Sequence, residues 1–466
     1  MVSDGKGSAR KVYSARGRVV EELIRVMERI GLKADRSDIH LEQPSDPSYG
    51  DLSCNIALVS AKALGRKPRQ LAEEIVTNVS FEEDFIDTVE VAGPGFINFT
   101  FSHAYLVNQV VEINRLGYAY GNSRLGAGKK LQVEFVSANP TGPLVIVSAR
   151  AAAVGAALVN IFHKVGYDVE AEYYINDVGT QVEKLGRSLL VRYRQLQGED
   201  VPFPEDGYPG EYLMAIARSI PPRKAGEWLK RSGEEAISAF GMFAIDRIVD
   251  LIKEDLDAFG VHFDVFFRES ELYGKGGEVE EALKILKGSD TVYEKEGALW
   301  FRSTGFGDEK DRVLVRSDAS PTYFLADSAY HLNKFKRGFS HVIDIWGPDH
   351  HGHIKRIQAA STVLGADENW LEVLIVQWVR LVEEGKLVSM SKRGGEFVTL
   401  RDLAEDVGVD VAKFFFLMRK TSAHLDFNLT LARKESEENP VYYVQYAHAR
   451  ISSVISYARQ EKVDFP

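Results

Sequence analysis

The chain has 466 residues, 45% hydrophobic and 27% charged, and its 57 basic and 68 acidic side chains leave a formal charge of −11. That composition excludes collagen-like, mucin-like and wholly disordered chains, and the length gives a prior of about three domains. One cysteine, Cys54, excludes an internal disulfide; no run approaches the ~18 apolar residues of a membrane span, and no apolar segment precedes Glu21 and Glu22, so a cytoplasmic protein is expected. In chain order, apolar spacing predicts a helix over 19–30, ended by Gly31, then helices over 53–64 and 69–79 separated by Gly65 and Pro68. Residues 86–101 read as two strands around Gly93-Pro94-Gly95, followed by a helix over 103–114 and a Gly-rich linker over 117–128. A small α+β domain is therefore expected over 1–115. A strand over 131–136, a loop over 139–143, an Ala-rich helix over 145–165 and a strand over 169–174 then give the alternation of a parallel sheet with crossover helices. Pro202, Pro204, Gly207, Pro209, Gly210, Pro221 and Pro222 interrupt that pattern, which predicts an insertion. Strands are expected again over 261–267, 297–302 and 341–346, with a helix over 323–336; from 402 onward the pattern is helical only.

Three loops concentrate the chemistry. Residues 137–144 (SANPTGPL) join a strand to a helix, and a helix N-terminus offers unpaired N–H groups and partial positive charge to an anion such as a triphosphate. An ordinary strand–helix turn fits the same residues about as well. Residues 346–353 (WGPDHHGH) end an apolar strand. They suit a cleft loop at the C-terminal edge of a parallel sheet better than a metal site, although His350, His351 and His353 keep a metal-dependent enzyme open. Residues 385–395 form a Gly-flanked basic loop suited to a polyanion whose charge grows in a transition state; a plain solvated loop is the alternative. Ser389-x-x-Lys392 also matches a serine acyl-enzyme pattern, but the companion motifs are absent.

Met390-Ser391-Lys392-Arg393 resembles the KMSKS-type loop of class I aminoacyl-tRNA synthetases. SANPTGPL resembles the segment leading into their HIGH motif, in the arginyl-tRNA synthetase form. Tyr323-Phe324-Leu325-Ala326-Asp327, WGPDHHGH, and residues 50–57 (GDLSCNIA) of the N-terminal domain resemble further segments in the same order, so the resemblance covers nearly the whole chain. It departs where the family has two His and a Gly after Pro143-Leu144. Here the four positions are Val145-Ile146-Val147-Ser148, and Ser389 stands at the first Lys of KMSKS.

The resemblance implies a Rossmann-type α/β catalytic domain over 116–404 with an insertion near 197–260. An N-terminal α+β domain that contacts tRNA precedes it, and a partial C-terminal α-helical bundle over 405–466 follows. It implies ATP-dependent attachment of L-arginine to its tRNA, with Mg2+ accompanying ATP, by a monomer acting off the membrane. Lys392, Met390, Ser391 and Arg393 would be catalytic. Glu134, Ser137, Asn139, Tyr323, Asp327 and His351 would bind arginine, and Pro140, Thr141, Gly142, Ser148, Gly347, Asp349 and His350 would bind ATP, with no resident metal. The altered HIGH positions raise the alternative of a catalytically impaired, tRNA-binding paralogue or fragment. In the N-terminal domain, Arg10, Lys11, Arg16, Arg18, Arg66, Lys67 and Arg69 are expected to meet tRNA phosphates.

Overall fold

A computed structural model describes residues 14–388 and 398–463. The chain divides into two compact units, residues 1–121 and 122–466. The first contains α1 (Ala15–Arg29), β1 (Leu41–Glu42), β2 (Leu52–Cys54), α2 (Ile56–Leu64), α3 (Pro68–Asn78), β3 (Ile86–Ala92), β4 (Phe96–Phe101) and α4 (His103–Leu116). Its antiparallel sheet has the order β1-β2-β4-β3. The expected helix over 53–64 is shorter than its periodicity suggested. Ser53 and Cys54 pair with Asn98 and Ile97 of β4, so sheet pairing overrides the helical spacing there.

The second unit opens with β5 (Lys130–Glu134), α5 (Ile146–Lys164) and β6 (Asp168–Ile175). Four helices follow, α6 (Thr180–Leu196), α7 (Glu211–Ser219), α8 (Pro222–Trp228) and α9 (Gly233–Ala258), before β7 (Val265–Arg268) and α10 (Glu278–Lys287). Next come β8 (Val292–Lys295), β9 (Ala298–Phe301), β10 (Arg312–Val315), α11 (Tyr323–Lys336), β11 (His341–Trp346), α12 (Ile354–Val363) and β12 (Leu371–Ile375). The unit continues through β13 (Val379–Glu383), β14 (Lys386–Leu387), α13 (Leu400–Val407), α14 (Val409–Leu417), β15 (Leu425–Asn428), α15 (Leu429–Ala432) and α16 (Pro440–Gln460).

Its main sheet is parallel throughout, in the order β12-β11-β5-β6-β7. From β5 the chain winds outward to β6 and β7, then returns to place β11 on the other side of β5. That reversal opens a crevice at the C-terminal ends of β5 and β11, the usual place for a ligand in such sheets. The crossover helix α5 is 19 residues long and apolar enough to span a membrane by length and composition. Here it lies on the sheet, where Gly155 gives way to the ring of Phe135; a Cβ at Gly155 would stand 2.2 Å from that ring. Arg150 of α5 is fully buried. Its guanidinium donates to the carbonyls of Gln377 (3.0 Å), Ala423 (2.8 Å) and Lys420 (2.8 Å), which pins α5 to the turns preceding β13 and β15.

Two expectations are corrected in this unit. The strand near 297–302 is β9, which joins β8 and β10 in a separate antiparallel sheet rather than the parallel one. The region beyond 402 is not helical only: Leu425 and Phe427 alternate inward along β15, which pairs in parallel with β13.

Candidate active site

The crevice is built on acids. Glu172 of β6, Glu134 of β5 and Asp344 of β11 stand in register across three neighbouring parallel strands, so their side chains share one face. All three are buried. Buried carboxylates persist only when paired, and α11 supplies the partners from one side. Lys334, itself fully buried, donates to Glu134 Oε2 (2.6 Å) and Asp344 Oδ1 (2.7 Å). Arg337, just past α11, bonds Glu172 and Glu170. His331 reaches Asp344 Oδ2 at 2.9 Å. Burial alone would raise the Asp344 carboxyl, but Lys334 and His331 hold it well below the usual carboxylate range.

Directly after β5 the backbone turns through two left-handed non-glycine residues, Val136 (φ 68°) and Ser137 (φ 38°). Strain of this kind persists only when neighbours fix it. Ser137 Oγ donates to Glu134 Oε1 (2.8 Å) and accepts from the Tyr174 amide (3.1 Å). Both oxygens of Glu134 are thus engaged by Lys334 and Ser137, which places Glu134 as support for the loop.

Asp327, on the first turns of α11, is different. Among the described residues its carboxylate accepts no hydrogen bond and meets no ion pair, yet burial pushes it up to about 7, with the nearby His331 pulling down and Glu269, Glu134 and Asp344 pushing up. Glu269, just past β7, faces the same space and is also raised by burial. It accepts from the Tyr273 hydroxyl (3.1 Å) and, with the Asn176 amide oriented to satisfy both its neighbours, from Asn176 (2.9 Å). Tyr174 feels both carboxylates, as does Tyr273, which also feels Tyr323. Tyr323 itself is exposed at the rim, 3.4 Å from where a Cβ on Gly179 would stand. Two under-compensated carboxylates beside tyrosines offer acceptors of the kind a planar cation would satisfy.

Glu269 was missing from the sequence-based set. Its signal was there, an acid immediately after the apolar strand Val265-Phe266-Phe267, at the edge of a parallel sheet where ligands bind.

Beside the crevice lies a second cavity of about 620 Å³, lined by Asn139, Thr141, Gly142, Val145, Ser148, Tyr208, Tyr212, Thr399 and Asp402 among others. The Tyr212 hydroxyl bonds the Thr141 carbonyl and so fixes α7 against the loop. The expected open N-terminus of α5 is partly closed. The Ile146 amide donates to Val398 O (3.1 Å), the Ser148 amide to Val145 O (2.9 Å), and Val145 forms a bridge with Thr399. Val145, at the cap position, offers no side-chain hydrogen bond.

The structure thus gathers Thr141, Gly142, Asn139 and Ser148 in one cavity, and Asp327 and Tyr323 in the acidic pocket. Pro140 is buried in the loop. Gly347, Asp349, His350 and His351 lie in or just before a short 3-10 helix, Pro348–His353, at the end of β11, with Asp349, His350 and His351 exposed. Among the described residues no group of three or more His, Cys, Asp or Glu is placed to hold a metal ion, so the histidine cluster does not form one. Ser389, Met390, Ser391, Lys392 and Arg393 lie outside the described residues.

Residues 16–101 match the family model described as arginyl tRNA synthetase N terminal domain, and residues 221–421 match that of the class I (R) tRNA synthetase catalytic domain. A protein of Heliobacterium modesticaldum named arginine–tRNA ligase is 47% identical over 420 residues, covering 90% of this chain and 74% of its own. One of the same name from Geobacillus kaustophilus is 46% identical over 447 residues, covering 96% and 80%. The Thermus thermophilus arginyl-tRNA synthetase structure superposes with a TM-score of 0.70 at 19% identity, over 95% of this chain and 82% of that one, and so shares the fold.

Proposed function

The chain belongs to the arginyl-tRNA synthetase family, the arginine–tRNA ligases of class I, and from that premise we propose how its crevice performs the reaction. The arginine guanidinium lies between Asp327 and Glu269, with Tyr323 and Tyr273 along its plane. The observation that carries this reading is the half-buried carboxylate of Asp327, which among the described residues has no hydrogen-bond or ion-pair partner, beside buried Glu269, because a guanidinium supplies the paired donors such acids lack. Glu134, Lys334 and Ser137 shape the turn from which Asn139 reaches toward the substrate.

ATP, the family's second substrate, occupies the cavity at the start of α5, against Thr141, Gly142 and Ser148, with Gly347, Asp349, His350 and His351 bordering the crevice from the end of β11. Mg2+ travels with its phosphates as part of that substrate. An arginine carboxylate oxygen attacks the α-phosphorus, the bond to the β-phosphate oxygen breaks, and pyrophosphate leaves with the electron pair. A tRNA ribose hydroxyl then attacks the activated carbonyl and AMP departs. Lys392 and Arg393, by their match to the KMSKS-type loop, stabilise the departing pyrophosphate. The enzyme works in the cytoplasm as a monomer, and its N-terminal and C-terminal parts contact tRNA.

One observation favours a second reading, slow activation. The two HIGH histidines and the glycine are replaced by Val145, Ser148 and Val147, and two amides at the start of α5 are spent on Val398 and Val145. ATP–pyrophosphate exchange with arginine and tRNA tests both readings. Arginine-dependent exchange supports the ligase reading, and exchange lost in an Asp327→Ala variant supports the pocket; arginine binding without exchange supports the second reading. Failure to bind arginine by calorimetry would refute both.

A further inference from the structure

We propose that two tyrosines, Tyr173 and Tyr212, are positioning residues that turn the backbone amides of Asn139 and Gly142 outward as paired donors for the ATP phosphates. The proposal rests on the reading that places ATP in the cavity at the start of α5.

The loop after β5 turns its acceptors toward protein donors and leaves its own donors open. The hydroxyl of fully buried Tyr173, on β6, donates to the Ala138 carbonyl at 2.9 Å, and the Tyr212 hydroxyl, on α7, donates to the Thr141 carbonyl. The Asn139 carbonyl accepts from the Thr141 amide at 2.8 Å, across Pro140. By contrast, the amides of Asn139 and Gly142 donate to no acceptor among the described residues, and Pro140 and Pro143 have no N–H to give.

Peptide geometry then sets the direction of those donors. Both peptides are trans, and in a trans peptide the carbonyl and the N–H point opposite ways. Tyr173 holds the carbonyl of the 138–139 peptide from the core, so the Asn139 N–H faces away from the sheet. Tyr212 holds the carbonyl of the 141–142 peptide, so the Gly142 N–H faces away from α7. Both residues line the cavity of about 620 Å³. Outward backbone amides close together in a loop form a concave site for an anion.

The two tyrosines are themselves held. The Tyr173 ring stacks on Phe266 at 5.3 Å and meets Phe263 edge-on at 5.6 Å. Leu213, Ile216 and Ala217 bury the inner face of α7. The segment before α7 is tied to α6, the Tyr208 amide donating to Ser188 Oγ (3.0 Å) and Arg192 to the Pro209 carbonyl (3.1 Å). The Tyr212 ring lies against Gly142, where a Cβ would stand 3.4 Å from it. Such bracing matters because the start of α5 offers a phosphate little else: Val145 makes no side-chain cap, and the Ile146 and Ser148 amides are engaged by Val398 and Val145. Donors already fixed in direction need no reordering as charge develops on the phosphates.

The test uses the full chain, with ATP, adenosine and inorganic tripolyphosphate as probes. Tyr212→Phe keeps the ring and removes the hydroxyl. Calorimetry should show ATP and tripolyphosphate bound about tenfold more weakly, the effect of losing one hydrogen bond, with adenosine and L-arginine within about twofold of wild type. A cavity that had merely loosened would lose adenosine to the same degree, and that result would overturn the proposal. In 15N-glycine-labelled wild type, the Gly142 amide signal, assigned by its absence in Gly142→Ala, should shift when tripolyphosphate is added. An amide that tripolyphosphate leaves unmoved would also overturn the proposal. Ser148→Trp fills the cavity and separates the two claims. Unchanged ATP affinity there would overturn the placement of ATP, whereas weakened affinity there with an unaltered Tyr212→Phe variant would overturn the role of the tyrosines alone. If Tyr212→Phe does not fold, the wild-type amide spectrum decides.

Discussion

A carboxylate with no donor and a raised protonation midpoint is an unfinished interaction, and Asp327 is the clearest one among the described residues. Replacing it with Ala removes a charge-assisted contact that contributes about 1.5–3 kcal/mol, so arginine affinity should fall on the order of 10- to 100-fold by calorimetry. The pH dependence has a definite sign. Burial raises the free-state carboxyl to about 7, while the bound guanidinium favours the ionised form. Below pH 7 arginine must displace a proton, so affinity should climb about tenfold per unit up to pH 7 and level off above it. Without ligand the sign reverses for stability. The folded carboxyl binds its proton more tightly than the unfolded one, so its contribution is full at acid pH and is lost between about pH 4 and pH 7. The start of α5 supplies a second test at this scale. Val145, Val147 and Ser148 give ATP at most one hydroxyl, and restoring a preorganised transition-state donor is worth about 10²–10³ in rate. The triple variant Val145→His, Val147→Gly, Ser148→His should therefore raise pyrophosphate exchange by two orders of magnitude or more; an unchanged rate would mean that other groups have taken over the phosphates.

Elements show where opposing small effects decide the outcome, and α5 is the clearest case. Gly155 lies inside this helix, where Ala would ordinarily gain about 1 kcal/mol of helix propensity. Its added methyl would stand 2.2 Å from the Phe135 ring, itself stacked on Phe263 at 4.3 Å, so neither ring can yield cheaply. Overpacking of this kind costs about 1–3 kcal/mol. Gly155→Ala should thus lower the urea midpoint despite the better helix former, and a raised midpoint would show that α5 can shift on the sheet. The α5 helix and α11 were legible in the sequence because their apolar spacing is long and unbroken. β2 was not, since Ser53 and Cys54 continue a helical pattern and only pairing with β4 turns them into a strand. β15 was missed because four residues of alternation, Leu425 to Asn428, lie between helical stretches. In the pocket, Asp327 and Tyr323 were legible because they are four apart on one helix and sit in a family motif. Glu269 was not, because its place in the pocket depends on which strands lie side by side: the sheet order brings β7 beside β6 across a long stretch of sequence.

At the scale of the whole molecule the question is how a chain of net charge −11 holds a polyanion. Cations already bonded to carboxylates have little left to give phosphates, and three of the sequence-based set of seven in the first unit are spent in this way. Arg18 pairs with Glu82, Arg66 with Glu74 and Arg69 with Glu73; Arg16 donates to the Leu41 carbonyl, Lys67 is exposed, and Arg10 and Lys11 lie outside the described residues. A different set is unspent. Arg218 at the end of α7, Lys224 on α8, and Lys230 and Arg231 before α9 are exposed, and none has a carboxylate partner among the described residues. Lys224 and Arg231 also border a groove floored by half-buried Trp228 and Met242, with Phe243 buried beneath, a surface on which an unstacked base can rest. The acids in that groove are engaged elsewhere, Asp246 with Arg268 and Glu235 with the amide that caps α9. Phosphate contacts release counterions, and each one adds about 0.7–0.9 to the slope of log affinity against log salt. Changing Arg218, Lys224, Lys230 and Arg231 together to Gln should therefore flatten the slope for tRNA binding by roughly 2–4 between 50 and 400 mM salt. Changing Arg66 and Arg69 to Gln should leave that slope within about half a unit of wild type, because those side chains exchange one carboxylate for water and no phosphate is lost. A slope that responds to the second pair and ignores the first four would place the polyanion on the N-terminal unit instead.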